Sequence, residues 1–358
     1  MTKKNLKQLL RYLRINSIII IVVSYTFFTF YFSENTLATV SGDCDACHKL
    51  FPGLLDETLH GELVSTNVLC INCHSSDGKD TVKIIGRSRV PVVFNEVKPE
   101  NPLAGGNFFY VAEFSGDRKG HNVDGIASMD SKFKGAPPGY YRDFDPSIPG
   151  YNTEKPLNCA GSNGCHGNRN IKNPYDAIKG AHHAVDKPVD GTTTARSYRF
   201  LKNTDEIKGV VGFEDADWGR NSTSDKHNEY SPSIDVLCAS CHGKFHLRDK
   251  DGKKSPWFRH PVGIVLPETG EYARYNPDIS PPDGMPGVRI YNPDAPVGRQ
   301  KVLKAPGEEV KLGEDMVICI SCHIAHSSPY ESILRWDYDN IYAHEEGKGG
   351  CLICHTGK

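Results

Sequence analysis

The chain of 358 residues is short of the material from which ordinary globular interiors are built. Hydrophobic residues make up 38% of it, while Gly (34) and Pro (23) are plentiful. Turns must therefore be many and the aliphatic core thin, so something other than Leu and Val has to organise the interior. Length alone allows one large domain or two ordinary ones. No membrane-length apolar run follows residue 32. Basic charge is not in excess either: beyond residue 38 there are 37 Lys and Arg against 43 Asp and Glu, a net of −6 with His neutral. Nucleic-acid binding, which calls for a basic stripe, is a poor fit to that balance.

The first 38 residues read as a targeting segment. Lys3, Lys4, Lys7, Arg11 and Arg14 form a basic region, an apolar run extends from Ile15 to Phe32, and Thr36-Leu37-Ala38 places small residues at a signal-peptidase site. The expectation is a signal peptide over 1–38. The competing reading is an uncleaved anchor, since the eighteen residues of that run, though broken by Asn16, Ser17 and Ser24, can just span a bilayer. Both send 39–358 across the membrane, to the periplasm, the outer surface or the extracellular space.

The twelve cysteines leave none over. Five pairs have the form C-x-x-C-H: Cys44/Cys47/His48, Cys70/Cys73/His74, Cys238/Cys241/His242, Cys319/Cys322/His323 and Cys351/Cys354/His355. The sixth is stretched, with five residues between Cys159 and Cys165, followed by His166. A His after all six second cysteines, in a chain with only 15 His, calls for a mechanism. Covalent haem attachment supplies one. On a helical turn, residues i, i+3 and i+4 share a face. Two thiols can then meet the two vinyl groups of a haem edge as thioethers, while the His takes the iron as its proximal ligand.

Zinc, disulfides and a redox dithiol compete with this reading. Cys47 and Cys70 stand near zinc-ribbon spacing, but zinc does not require a His after every pair. A disulfide framework suits an exported chain with an even cysteine count, yet leaves six His unexplained. A thioredoxin-like pair occurs once or twice, not six times. Six haems c are therefore expected. In the stretched segment, Ala160-Gly161-Ser162-Asn163-Gly164 is rich in turn formers and can bulge while returning Cys165 to its place beside His166. A haem with a looser loop is the expectation there. A single thioether, a disulfide or no haem are the open alternatives.

The remaining His are His60, His121, His182, His183, His227, His246, His260, His326 and His344. Beyond the leader the only Met are Met129, Met285 and Met316, too few to serve six irons as second axial ligands. His-on-both-faces ligation is thus expected, with His60, His121, His183, His227, His246, His260, His326 and His344 as distal candidates. His183 is preferred over His182. His326 and His246 follow their proximal neighbours so closely that they should serve a different haem. At least three of the nine must be solvated or support other ligands. With both axial positions filled, an iron passes electrons and binds no substrate.

The motifs cluster at the two ends, in 44–74 and 319–355, with long linkers between. Strands are expected over Val82–Ile85, Arg89–Phe94 and Phe108–Glu113, turn chains over 145–150 and 277–287, and helices at the attachment turns, at Pro174–Ala184 and at Ser327–Trp336. The fold class expected is a single multihaem cytochrome domain over 39–358, mostly coil, with short helices at the motifs, a few short strands and a core of stacked haems. Folding should then depend on haem attachment.

Cys319-Ile320-Ser321-Cys322-His323-Ile324-Ala325-His326, followed by Trp336, His344 and Cys351-Leu352-Ile353-Cys354-His355, resembles the doubled C-x-x-C-H cytochromes. Gly106-Asn107-Phe108, Gly120-His121-Asn122-Val123, Ser197-Tyr198-Arg199-Phe200, His227-Asn228-Glu229-Tyr230, Ser255-Pro256-Trp257 and His260-Pro261 together look like exported multihaem cytochromes of metal-reducing bacteria. The resemblance implies haems with two His ligands and extracellular electron transfer, in some relatives through head-to-tail filaments. The C-x5-C-H segment departs from the usual spacing.

The leading reading is an electron conduit that serves other cytochromes or redox proteins, metal oxides or an electrode, alone or as a homo-oligomer or filament. No catalysis is expected of it. A multihaem reductase of nitrite or hydroxylamine type needs one open iron, often marked by an unusual proximal residue, and here all six are His. A membrane-anchored quinol-oxidising cytochrome would need the leader retained, and its small relatives carry four haems.

Overall fold

The computed structural model describes residues 66–86, 88–133, 135–138, 148–178, 210–246, 260–277, 289–303, 305–342 and 350–356. The chain divides into two units, Met1–Ala38 with Val185–Pro188, and Thr39–Ala184 with Val189–Lys358, and every described residue belongs to the second. No described helix is long and apolar enough to cross a membrane.

Secondary structure is sparse and short. The described helices are α1 (Thr66–His74), α2 (Phe109–Ala112), α3 (Pro174–Ile178), α4 (Ser233–His246) and α5 (Cys319–Cys322). The described strands form six separate two-stranded pairs. The longest pairs Val82–Ile85 with Ser88–Pro91 antiparallel. The chain is otherwise turns and extended coil, as its Gly and Pro content implies.

Among the described residues, burial falls into three small clusters rather than one large core. Leu266, Tyr275, Tyr291, Ala295, Val297, Val310, Val317 and Ile353 form the largest, with Cys354 packed at its rim. Val210, Tyr230, Ile234, Ile318 and Ile320 form the second, with Cys238 against it. Phe108, Val111 and Val123 form the third, with Cys159 against it. Each cluster thus packs against a cysteine of one of the Cys-Cys-His motifs.

The largest cluster is braced by a buried charged network. Arg299 donates to Glu229 at 2.7 Å, to Asp315 at 3.2 Å and to the carbonyls of Glu309 and Gly307. Glu229 also accepts the Gly307 amide, and Asp315 accepts that of Lys311. Buried charges are tolerated only when paired and hydrogen-bonded in this way.

Local differences from the sequence expectations have simple causes. Phe108–Glu113 is helical at its centre (α2), not a strand: Phe108 and Val111 share a helical face and meet Val123 in the third cluster. Tertiary burial of an i, i+3 pair has overridden β propensity. The expected Arg89–Phe94 strand is two pieces, Ser88–Pro91 and Phe94–Asn95, and the second pairs in parallel with Ser75–Ser76 directly after α1. Ser327–Trp336 contains only a 3-10 turn over Glu331–Ile333, where Ser332 adopts a positive φ. Of the expected Pro174–Ala184 helix, Pro174–Ile178 is described.

Candidate haem centres

Five of the six motifs lie among the described residues, on three kinds of local structure: α-helix, 3-10 turn and paired strands. Cys70, Cys73 and His74 end α1. Cys238, Cys241 and His242 lie inside α4, which bends at His242 (φ −100°, ψ 17°). Cys319 and Cys322 make up the ends of α5, and His323 leaves it in extended conformation. Cys351 and Cys354 sit around a 3-10 turn that runs from Gly350 to Ile353. Cys44, Cys47 and His48 lie outside the described residues.

The stretched motif solves its spacing differently, without a helix. Asn158–Ala160 and Gly164–His166 form a parallel pair, with Asn158 opposite Gly164 and Ala160 opposite His166. Cys159 therefore falls opposite Cys165, on neighbouring strands about 5 Å apart. The five-residue loop closes on itself through Asn158 N–H to Asn163 O (2.8 Å) and Gly164 N–H to Gly161 O (2.9 Å). Asn163 Nδ2 ties it down to Asn152 O at 2.7 Å. A Cβ at Gly164 would lie 2.6 Å from the Ala160 backbone, so this turn requires glycine. Two thiols emerge side by side, with His166 next in the chain.

Four of the imidazoles are aimed by backbone carbonyls. Nδ1 of His74 lies 2.8 Å from Pro91 O, that of His121 2.8 Å from Ala325 O, that of His323 2.8 Å from Ser332 O, and that of His260 2.9 Å from Pro261 O. A carbonyl can only accept, so these contacts place the proton on Nδ1 and leave the Nε2 lone pair for a metal. Burial favours the neutral form of five rings: it pulls His166 down to about 4 and His326 to about 3, and lowers His74, His121 and His323 as well.

Three pairs of imidazoles face one another across nearly constant gaps. Ring centroids are 6.2 Å apart for His121 and His242, 6.2 Å for His166 and His326, and 5.9 Å for His260 and His355. Two rings bound to opposite faces of one metal, each through a bond of about 2 Å, have centroids roughly 6 Å apart. In each pair one member follows an attachment cysteine and the other does not. The donor set and its spacing fit a haem iron.

Two of the facing His come from one device. Gly120 and Ser327 form an antiparallel bridge, His121 N–H bonds His326 O at 3.0 Å, and His326 N–H bonds Gly105 O at 2.8 Å. Adjacent extended segments thus present His121 towards α4 and His326 towards the stretched motif. Phe108 stacks on His326 with centroids 4.7 Å apart and fixes its plane. Such close approach needs Gly106, at φ +83°, where a Cβ would fall 2.2 Å from Ser327 O.

His227, a distal candidate by sequence, is placed otherwise. It is buried, stacked on Tyr291 with centroids 3.6 Å apart, and both ring nitrogens are engaged, Nδ1 at 3.1 Å from Thr223 O and Nε2 at 3.3 Å from Glu229. It belongs to the Arg299 network and has no nitrogen left for iron. Sequence could not reveal this, because the same residue type in a turn serves either end. His60, His182, His183, His344 and the His246 side chain lie outside the described residues.

Attachment cysteines of successive motifs are neighbours. Cys70 and Cys159 share a hydrogen bond, as do Cys238 and Cys319, and this holds the Cys159 and Cys319 thiols well above their ordinary range. Cys165 and Cys238 are close enough to interact, and so are Cys322 and Cys351. The described motifs therefore adjoin in chain order. Sequence reasoning missed two charged side chains at these junctions. Arg169 donates to Ser240 Oγ at 2.5 Å and to Cys241 Sγ at 3.4 Å. Asp235 accepts the Cys319 N–H at 2.7 Å, and burial raises its carboxyl.

No family model matches the chain, and no curated protein matches it. Among solved structures it is similar to the outer membrane cytochrome S filament from Geobacter sulfurreducens, at 18% identity over 78% of this chain and 76% of that one, with a TM-score of 0.44. It is also similar to the OmcS nanowires of Geobacter sulfurreducens seen by cryo-EM, at 17% identity over 76% and 74% of the two chains, with a TM-score of 0.41.

Proposed function

We propose that this chain is an exported electron-transfer cytochrome that carries six haems c, each iron held between two His. The observation that carries the reading is the set of three facing imidazole pairs at 5.9–6.2 Å, each with an attachment motif on one side. On this reading His242 and His121 hold one iron, His166 and His326 a second, and His355 and His260 a third. His74 and His323, and His48 outside the described residues, are proximal ligands of the others. Their distal partners come from His60, His183, His246 and His344. Cys159 and Cys165 hold a haem despite their spacing, because the parallel pair sets them side by side.

Bound haem supplies reversible one-electron chemistry. The protein's part would be to offer each iron two His, hold those rings in place and set consecutive motifs against one another. An iron closed on both faces takes no substrate, which favours a relay over a nitrite or hydroxylamine reductase. The adjoining of motifs in chain order supports a continuous path towards a partner cytochrome, another redox protein or a metal oxide. Assembly of copies into a filament at the outer surface extends that path, and the filament cytochromes to which this structure is similar are what suggest it.

Intact mass and the ferric spectrum of the purified protein test the proposal together. Six haem additions and an entirely low-spin spectrum are expected, and the mass also reports whether residues 1–38 have been removed. A high-spin ferric fraction that binds cyanide or nitrite would overturn the relay in favour of a reductase.

A further inference from the structure

Arg169 lies three residues after His166, in the loop that leaves the stretched motif, and is only 3% exposed. Its guanidinium crosses to α4, donating to Ser240 Oγ and Cys241 Sγ, while Nε is buried with no acceptor. Ser240 is anchored in turn through its hydroxyl to Leu237 O at 2.6 Å. The titratable groups that face the guanidinium are thiols and a phenol: Cys165, Cys241 and Tyr151. Among the described residues no carboxylate pairs with it. A guanidinium is a permanent cation, and none of the described protein side chains around this one supplies a carboxylate to offset it. Packing alone could be satisfied by an apolar chain of the same length.

The position of the charge suggests its use. It sits between Cys165 of the third motif and Cys241 of the fourth, where two attachment edges adjoin. Once thioethers form, both sulfurs are uncharged and the cation faces whatever those edges carry. A fixed positive charge there disfavours the ferric state, which bears one more positive charge than the ferrous state. Across about 10 Å at an effective dielectric of about 20, one unit charge changes a one-electron equilibrium by roughly tenfold.

We infer that Arg169 is a potential-setting residue: its buried cation raises the electron affinity of the haems attached at Cys159–His166 and Cys238–His242 and ties their two motifs together. The inference rests on the proposed haem attachment. In a titration each site takes one electron from dithionite, ferric iron becoming ferrous, and Arg169 neither gains nor loses a proton.

The test is a spectroelectrochemical titration of the purified holoprotein beside Arg169→Gln and Arg169→Lys, with haem count by intact mass. In Arg169→Gln, with every haem retained, at least one transition should fall by about tenfold in its reduction equilibrium, about 59 mV for one electron. Arg169→Lys, which keeps the charge, should restore most of it. Unchanged transitions in Arg169→Gln, or an equal fall in both variants, would overturn the inference and leave Arg169 a structural tie. If Arg169→Gln loses a haem, Ser240→Asp is read instead, because it sets a carboxylate against the guanidinium. The same fall is then expected, and no change overturns the idea. Absence of haem from the parent protein would instead sink the cytochrome reading itself.

Discussion

His166 and His326 stand with ring centroids 6.2 Å apart, though one follows the stretched cysteine pair and the other lies just beyond α5. His326 is much closer in the chain to His323, its neighbour in the fifth motif, yet it faces the third. The bridge from Gly120 to Ser327 makes that choice, because it carries residues 325–327 out of the α5 helix and alongside 120–121. Which imidazole faces which is thus a property of long-range pairing.

Replacing His326 by Ala should open one iron while leaving its attachment intact. The expected outcome is an unchanged haem count by mass and the appearance of high-spin ferric signal from one haem in electron paramagnetic resonance. His227→Phe is the control. It should leave every haem low-spin, because both His227 nitrogens are engaged with Thr223 and Glu229. A high-spin signal in His227→Phe, or none in His326→Ala, contradicts the pairing.

Gly164→Ala examines the stretched motif. The added methyl meets the Ala160 backbone at 2.6 Å and has no flexible neighbour to displace. The parallel pair should open at a cost of about 1–3 kcal/mol. Intact mass should show loss of one haem in a fraction of the molecules. Full loading at normal yield would mean that the turn tolerates a side chain.

The Arg299 network gives a stability prediction. Glu229→Gln removes the negative partner of a guanidinium that is nearly sealed from solvent, leaving Asp315 as its remaining carboxylate. Breaking one arm of a buried ion pair typically costs about 3–5 kcal/mol. Thermal unfolding should shift down by several degrees without a change in haem spectrum. An unmoved midpoint would show the network to be energetically neutral.

Asp217 should make stability depend on pH in the acid range. Hydrogen bonds from Lys226 and Arg89 hold its carboxyl down at about 2, below the value near 4 expected in the unfolded chain. The folded state therefore binds this proton less readily, so the contribution is full above pH 4 and lost as pH falls towards 2. The group is partly solvated, so the effect should be well below 1 kcal/mol. The unfolding midpoints of the native protein and Asp217→Asn should differ at pH 5, draw together below pH 4 and converge near pH 2. A gap that is constant with pH would assign the difference to something other than ionisation.

What was legible in the sequence was chemical and local. The thiol–thiol–imidazole triplets, the thin aliphatic composition and the surplus of His point to a coil-rich chain and to the haem attachment proposed above, because attachment would require those groups within a few residues. Strand Val82–Ile85 and the helices at the motifs ending in His74, His242 and His323 were readable for the same reason, as their signals lie within one or two turns of chain, whereas the motif ending in His166 is a strand pair and that ending in His355 a 3-10 turn. The Phe108–Glu113 segment was misread because its burial against Val123 decides helix over strand, and His227 was misjudged because Tyr291 and Glu229 reach it from elsewhere.

The sequence by itself thus determined which groups can hold haem. It could not determine which imidazole faces which, nor that a five-residue loop folds into a parallel pair that sets Cys159 beside Cys165. Nor could it show that Arg169 ends buried between two motifs. Those outcomes belong to the tertiary structure, since ligand pairing and burial of charge depend on contacts between segments far apart in the chain. No local pattern records such contacts.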